Sequence, residues 1–89
     1  MEFEAKTLED VVARLRRVEG QVGGVIRMIE SGRECRDVVS QISAASKALD
    51  QAGFRLLASG LRHCVTHPDA AEASGYSQDE LERLFMKLA

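Results

Sequence analysis

The residues best suited to chemistry in this 89-residue chain are its two cysteines, Cys35 and Cys64. Two thiolates that meet can bind a soft metal such as Cu(I), or they can react with electrophilic sulfur and become covalently bridged. Free cysteines are also often buried as small hydrophobic groups that take part in no chemistry. The residue types leave these alternatives open, so the question is whether the fold brings the two thiols together.

Both cysteines are predicted to lie on one long helix, at opposite ends. The helix is expected to begin near Cys35 and to end before Pro68, because the residue preceding a proline is disfavoured in the α conformation. From residue 35 to residue 64 is 29 positions. At a rise of about 1.5 Å per residue the thiols are roughly 43 Å apart, whereas a disulfide needs Cα atoms within about 4.4–6.8 Å. The two thiols of one chain therefore cannot meet.

Pairing of two subunits would bring the thiols together. Apolar residues along the long helix alternate in steps of four and three, which is typical of a coiled-coil seam: Val38, Ile42, Ala45, Leu49, Ala52 and Leu56. Two antiparallel copies related by a twofold axis near Leu49 and Asp50 would place Cys35 beside Cys64 of the partner subunit, twice per dimer. A chain this short buries only about 60% of its unfolded surface, so a partner is also expected on grounds of stability.

A helix is predicted on each side of this long one. Apolar residues recur at helical spacing over residues 8–29, after a capping pair formed by Thr7 and Asp10, and residues 31–32 (Ser-Gly) provide a stop. Residues 66–76 are expected to form a loop. Ser77 with Glu80 then makes a capping box that begins a short third helix.

The composition agrees with an all-α class and a single domain spanning residues 1–89. Aromatic residues make up 4% of the chain, and it contains one proline. Both values favour helices over a β-sandwich or barrel. No apolar run reaches the roughly 18 residues of a membrane helix, and the N-terminus lacks the features of a signal peptide. We therefore expect a cytoplasmic protein without a membrane partner.

The net charge of −2 argues at first sight against a nucleic-acid partner. The acidity is concentrated in residues 68–89, which hold two basic and five acidic side chains, so residues 1–67 have a net charge of +1. On the first predicted helix, Arg14, Arg17 and Gln21 share a ridge beside the apolar stripe. Such a ridge suits DNA phosphates, although a solvated charged face would explain any one of these residues taken alone.

Residues 14–65 resemble the copper-sensitive operon repressor (CsoR) family of bacterial transcription regulators. The resemblance rests on three segments, RLRRVEGQV, CRDVVSQISA and LRHCV. It implies a disc-shaped homotetramer, built as a dimer of antiparallel dimers, that binds operator DNA without a helix-turn-helix. It also implies that the DNA is released when an inducer occupies a site spanning two subunits.

The same resemblance makes Arg14 the strongest candidate for DNA contact, with Arg17 and Gln21 beside it on the predicted helix. Some relatives carry a further basic residue near position 51, where this chain has Gln51. Lys47 or Arg55 is expected to replace that contact. Contacts of this kind are made mainly to phosphate, so binding should weaken steeply as salt rises.

The positions that distinguish the sensors of this family narrow the choice of inducer. Copper sensors carry a histidine one turn before the second cysteine, where this chain has Gly60. The N-terminal histidine of nickel and cobalt sensors matches Phe3, and the proline of formaldehyde sensors matches Glu2. A pair of thiols without the histidine, here Cys35 and Cys64, is similar to the CsoR-like sulfurtransferase repressors (CstR), which sense persulfides and polysulfides.

The leading hypothesis from the sequence is therefore a homotetrameric repressor that needs no cofactor and responds to sulfide stress. Reactive sulfur species would bridge Cys35 to Cys64 of the partner subunit, and this cysteine redox reaction would release the operator. The alternative keeps the repressor but makes Cu(I) the inducer, bound by the same thiols with His67 or water. A thiol or sulfur-transfer enzyme is disfavoured, because the chain has neither a CxxC pair nor a phosphate-binding loop.

Overall fold

The fold is all-helical in a computed structural model that describes residues 4–69 and 77–89. Its helices are α1 (Ala5–Glu30), α2 (Cys35–Thr66) and α3 (Gln78–Leu88). α1 and α2 form an antiparallel hairpin, and α3 packs against the second half of α2. The predicted all-α class is confirmed. Among these residues, no helix is both long enough and apolar enough to cross a bilayer.

α2 has the predicted bounds, since it begins at Cys35 and ends at Thr66, with His67 as its C-cap. The predicted loop over residues 66–76 is wrong at its start. Thr66 belongs to α2, where its hydroxyl donates to the Arg62 carbonyl at 2.9 Å. Residues 68–69 are helical as well, because proline is tolerated in the first turn of a helix. The rest of that predicted loop, residues 70–76, lies outside the described residues.

The predicted start of α1 is also wrong. The helix begins at Ala5, with Glu4 in an extended conformation as its N-cap and no side-chain capping bond. Thr7 therefore lies inside the first turn. Its hydroxyl oxygen is instead 3.5 Å from that of Ser59 on α2, so a tertiary contact has replaced the expected cap.

The predicted end of α1 is confirmed at Gly32. This residue has φ of +75°, in the left-handed region that glycine adopts without penalty. The Gly32 amide donates to the Ile29 carbonyl at 3.1 Å, and the Arg33 amide donates to that of Met28 at 2.9 Å. These bonds satisfy the last carbonyls of α1, and the chain turns directly into α2.

The core between α1 and α2 is built from residues seven positions apart on each helix: Val11, Val18 and Val25 on α1, and Val38, Ala45 and Ala52 on α2. Ala52 is 1% exposed, so the small side chains of α2 let the two backbones approach closely. The predicted seam of α2 is therefore divided. Half of it is buried within one chain, whereas Ile42 and Leu49 remain 48% and 50% exposed.

A single chain leaves much apolar surface in water. The large apolar side chains exposed on α1 and α2 are Leu8, Val12, Leu15, Val22, Ile26, Ile29, Val39, Ile42, Leu49, Leu61 and Val65. Val22 and Ile42 line one shallow apolar groove between the two helices. Exposed apolar surface on this scale is typical of a protein–protein interface.

The capping box of α3 is confirmed on one side. The Ser77 hydroxyl accepts the Glu80 amide at 3.1 Å, as an N-cap should. The Glu80 carboxylate instead accepts a bond from the Arg83 guanidinium at 3.0 Å. The helix then packs antiparallel to α2, with the Phe85 ring centroid 5.0 Å from that of Phe54.

Removal of this cap should loosen α3. We expect Ser77→Ala to lower the free energy of unfolding by about 1 kcal/mol, because the Glu80 amide loses its acceptor. Ser40→Ala is the matched control, since the exposed Ser40 hydroxyl only donates to a carbonyl within α2. Urea denaturation followed by circular dichroism measures both. Equal stability of the two variants would show that the cap contributes nothing.

Candidate functional site

Cys35 is the first residue of α2 and is exposed. Charged side chains around it make one helix cap and one ion pair. The Glu34 carboxylate accepts the Arg36 amide at 3.1 Å and caps the helix, and the Arg33 guanidinium lies 3.5 Å from the Asp37 carboxylate. Because Cys35 is exposed, its thiol is accessible to a reagent or to a second chain.

Cys64 lies near the other end of α2 in the opposite kind of environment. It is 6% exposed and shares a small apolar cluster with Leu81 of α3, which is 2% exposed. Leu57 and Leu84 pack against the same cluster. The side of α2 that carries Cys64 is therefore covered by α3, a contact that the spacing of the residues did not reveal.

The two thiols of one chain do not meet. α2 runs without a break for 32 residues and carries one cysteine near each end, as the sequence predicts. In the parts of the chain that the structure describes, there is no cluster of three or more His, Cys, Asp or Glu side chains able to hold a metal ion. A site that uses both thiols therefore requires two chains.

The positions near Cys64 that could add a nitrogen ligand are poorly suited to it. Gly60, one turn earlier on α2, is buried and has no side chain to offer. The His63 and His67 rings stack on each other, with centroids 4.8 Å apart. His67 is exposed just past the end of α2, and its Nδ1 is 2.8 Å from the Thr66 hydroxyl. The other two discriminating positions, residues 2–3, lie outside the described residues.

A second candidate site is the basic side of the α1–α2 hairpin. The Arg14 Nε lies 3.1 Å from an Asp10 carboxylate oxygen, and the Arg55 Nη1 of α2 lies 3.7 Å from the same oxygen. Asp10 thus joins Arg14 to the long helix. The sequence predicts Asp10 as part of a cap, although its spacing of four from Arg14 is equally typical of an ion pair on a helix.

The remaining candidates for DNA contact lie on both helices of the hairpin. Arg17 is exposed on α1, Gln21 is partly buried one turn later, and Lys47 is exposed on α2. Near the N-terminus of α1, a cleft of about 420 Å³ adds Lys6 and Arg62 to the basic residues of this region, although the acidic Glu4 and Asp10 line it as well. Their amino and guanidinium groups could bind an extended anion such as a phosphate backbone.

The comparison with known families decides what kind of protein carries these two sites. Residues 7–87 match the family model described as the metal-sensitive transcriptional repressor. The chain belongs to the metal-sensitive transcriptional repressor family. An enzyme that transfers sulfur or exchanges thiols, the third interpretation of the cysteine pair, is set aside because members of this family are repressors.

Curated relatives in the metal-sensitive repressor family include copper sensors. The copper-sensing transcriptional repressor RicR of Mycobacterium tuberculosis is 48% identical over 67 residues, which cover 75% of this chain and 70% of that protein. The copper-sensing transcriptional repressor CsoR of Bacillus subtilis is 36% identical over 85 residues, covering 93% of this chain and 82% of that protein. Both relatives are named for sensing copper.

Solved structures of metal-sensitive repressors share the fold. CsoR with Cu(I) from Geobacillus thermodenitrificans is 36% identical, with a TM-score of 0.74 over 99% of this chain and 88% of that one. The nickel-responsive regulator InrS is 29% identical, with the same TM-score over 100% of this chain and 98% of that one. The three-helix arrangement therefore serves sensors of more than one metal, so the fold by itself does not name the inducer.

Proposed function

We propose that the protein is a homotetrameric, cytoplasmic repressor that binds operator DNA and releases it when Cu(I) occupies a thiol pair shared by two subunits. The pair consists of Cys35 and Cys64 of the partner subunit. The observation that carries the proposal is the position of the cysteines near opposite ends of one unbroken helix. Residues 1–89 act in it as one domain that both senses the inducer and binds DNA.

Antiparallel dimers are the arrangement that makes such a pair. With a twofold axis near Leu49, Cys35 lies beside Cys64 of the partner subunit and Ile42 faces Leu57 of the partner subunit. Leu49 and Ile42 are half exposed in one chain, so an interface there would bury surface that the chain otherwise leaves in water. The resemblance to the CsoR family extends this to a disc-shaped dimer of dimers.

Cu(I) suits the donors that the pair supplies. It is a soft ion that thiolates bind selectively, and two sulfur ligands satisfy it in linear coordination. The copper-sensing relatives support this choice. His67, exposed just beyond the end of α2, is the alternative third ligand in this chain. To reach the site its ring would have to leave the stack with His63 and the contact with the Thr66 hydroxyl. When bound, Cu(I) would link the two subunits through its two sulfur ligands, a link that the metal-free protein does not have.

A second candidate inducer is reactive sulfur, favoured by Gly60. The absence of an imidazole one turn before Cys64 removes the ligand that a three-coordinate copper site would use, whereas a sulfur bridge needs only the two thiols. With an organic trisulfide, the Cys35 thiolate attacks the central sulfur and expels one thiolate. Cys64 of the partner subunit then attacks the same sulfur and expels the second. Two protein thiols and one trisulfide thus yield a bridge with one added sulfur and two small thiols.

DNA binding is assigned to the basic side of the hairpin, through Arg14, Arg17, Gln21 and Lys47. A change at the thiol pair on α2 could reach this basic side, because Asp10 contacts both Arg14 on α1 and Arg55 on α2. A change in how two α2 helices pack would move Arg55 and hence the neighbours of Arg14. Exposed ion pairs are individually weak, so this contact guides the position of Arg14 and does not fix it.

Inducer selectivity tests the proposed function. An operator fragment is first selected from a random-sequence DNA library with the reduced protein, and its release is followed by fluorescence anisotropy. Under anaerobic conditions, we expect Cu(I) buffered by a competing chelator to release the DNA at about one ion per subunit, without covalent dimers. A parallel experiment adds an organic trisulfide instead of Cu(I) and follows DNA release in the same way.

The two arms separate the candidates. Release by the trisulfide alone, with a covalent dimer on a non-reducing gel, would replace Cu(I) by reactive sulfur. Failure of both reagents to release the DNA would contradict a thiol-based inducer site altogether. Ni(II) serves as the control ion, because its preference for nitrogen and oxygen ligands leaves two thiols a poor site.

A further inference from the structure

Asp10 is an acidic residue in the middle of the basic side of the hairpin. Along α1, Lys6 lies about one turn before it and Arg14 about one turn after it. Across the hairpin, the Arg55 guanidinium lies 3.7 Å from the Asp10 carboxylate, and Arg62 lines the same cleft. The carboxylate therefore lies among basic side chains that come from both helices.

One oxygen of the Asp10 carboxylate contacts both helices. Asp10 Oδ2 accepts a bond from Arg14 Nε at 3.1 Å and lies 3.7 Å from Arg55 Nη1. Guanidinium groups bind phosphate oxygens with the same N–H donors that they direct at carboxylates. The contact is at the surface, since the side chains of Asp10 and Arg55 are 42% and 54% exposed. An anion from outside the chain can therefore reach the position that this oxygen occupies.

The contact with Asp10 limits what Arg14 can offer to DNA. A guanidinium binds a phosphate most strongly through two parallel N–H groups. Because Arg14 Nε donates to Asp10, the edge formed by Nε and one Nη is already engaged. A phosphate that approached this edge would also meet the negative charge of Asp10 at close range, and like charges repel there. Full contact between Arg14 and a phosphate therefore requires Asp10 to give way.

We propose that Asp10 occupies a phosphate position of the DNA interface in the free protein, between Arg14 and Arg55, and that an operator phosphate takes this position in the complex. The inference rests on the proposed function, because it names a site within the assigned DNA interface. It adds Arg55 to the residues that contact DNA. Arg62 and Lys6 extend the same anion-binding surface into the cleft.

This role of Asp10 has a definite sign. A phosphate that takes the position must break the contacts of the carboxylate, and the displaced carboxylate stays nearby because α1 carries it. Asp10 therefore weakens DNA binding, and loss of its charge should tighten binding. A residue that only held Arg14 in place would have the opposite effect, since its loss would weaken binding.

Operator affinity of the reduced, metal-free, full-length protein tests this sign by fluorescence anisotropy. We expect Asp10→Asn to bind at least about fivefold more tightly than the wild type, because like charges about 4 Å apart repel by that much even in water. Glu9→Gln is the matched control, since it removes the same charge from an exposed neighbour on α1. Screening by salt should limit its gain to less than about twofold. Equal binding by the two variants would overturn the inference.

Arg55 shows whether the gain arises at the shared position. Arg55→Ala alone should weaken binding, because the phosphate loses one of its two guanidinium partners. In a chain that already carries Arg55→Ala, Asp10→Asn should tighten binding by less than about twofold, since contacting residues are not additive. A gain from Asp10→Asn that is equal with and without Arg55 would contradict a position that both side chains share.

A second measurement separates the phosphate position from the operator and the inducer. Nitrogen NMR resolves the Nε–H groups of arginines, and inorganic tripolyphosphate at low salt is the probe. Its addition should shift the Arg14 signal to saturation, with a midpoint at least about threefold lower in Asp10→Asn than in the wild type. An Arg14 signal that does not respond, or equal midpoints, would overturn the phosphate position. The titration contains neither DNA nor Cu(I), so it decides the inference even if the proposed function is wrong.

Discussion

Cys35→Ala and Cys64→Ala will each give a repressor that binds its operator but no longer releases it in response to Cu(I). Each substitution removes one of the two sulfur ligands, and residues 4–69 and 77–89 contain no group of three or more His, Cys, Asp or Glu side chains that could form another metal site. Loss of a group that only orients a ligand typically lowers metal affinity about 10–100-fold, so loss of a ligand itself should cost at least about 100-fold. Chelator competition measures the affinity, and anisotropy of labelled operator measures the release.

Matched controls separate the missing sulfur from damage to the fold. Ser43→Ala likewise removes one side-chain heavy atom at an exposed position of α2, and Ser59→Ala does so at a buried one. Both should retain Cu(I) binding and operator release. A response to Cu(I) that survives in either cysteine variant would contradict a site that needs both thiols.

Arg14→Ala will weaken operator binding at least about tenfold, without loss of the tetramer. If Arg14 contacts a phosphate, its removal breaks a charge-assisted hydrogen bond at each symmetry-related position. Every loss of about 1.4 kcal/mol in binding free energy lowers the affinity about tenfold. The dependence of the logarithm of the affinity on that of the salt concentration should also become shallower, by about one unit for each phosphate that is no longer neutralised. Titrations at several salt concentrations give both quantities, and analytical ultracentrifugation gives the oligomeric state.

The ion pair of Arg14 supplies a control that distinguishes DNA contact from a structural role. Asp10→Asn breaks the same 3.1 Å pair but keeps the arginine, so it should bind DNA at least as tightly as the wild type. Arg83→Ala removes an exposed arginine that is likewise paired with an acidic neighbour, at 3.0 Å on α3, and should have no effect. Equal weakening by Arg14→Ala and Asp10→Asn would assign the ion pair to folding instead of DNA binding.

The sequence predicts best where one residue decides the local backbone. Gly32 ends α1 because left-handed φ is readily available to glycine, and Ser77 begins α3 because its hydroxyl accepts an amide of the first turn. The separation of the two thiols could be predicted for the same reason. It depends on the length and continuity of α2, and the signals near Cys35 and Pro68 define where this helix begins and ends.

The features that the sequence does not predict depend on packing between helices. Thr7 has the type and spacing of a cap, but α1 begins earlier and the hydroxyl faces Ser59. The heptad of α2 indicates an apolar seam but not which half is buried within the chain. Burial of Cys64 follows from where α3 docks, and no local pattern around that cysteine encodes the position of a helix that begins at Gln78.

Mixed oligomers show whether each inducer site is shared by two subunits. Cys35→Ala and Cys64→Ala chains carrying different affinity tags are co-expressed, and oligomers that contain both kinds of chain are isolated by two successive purifications. An antiparallel dimer that contains one chain of each kind keeps one complete thiol pair, whereas each parent variant keeps none. A Cu(I) titration should therefore find tight sites in the doubly tagged oligomers, at most one for every two chains, and none in either parent variant. Doubly tagged oligomers that bind Cu(I) no more tightly than the parent variants would contradict the shared site.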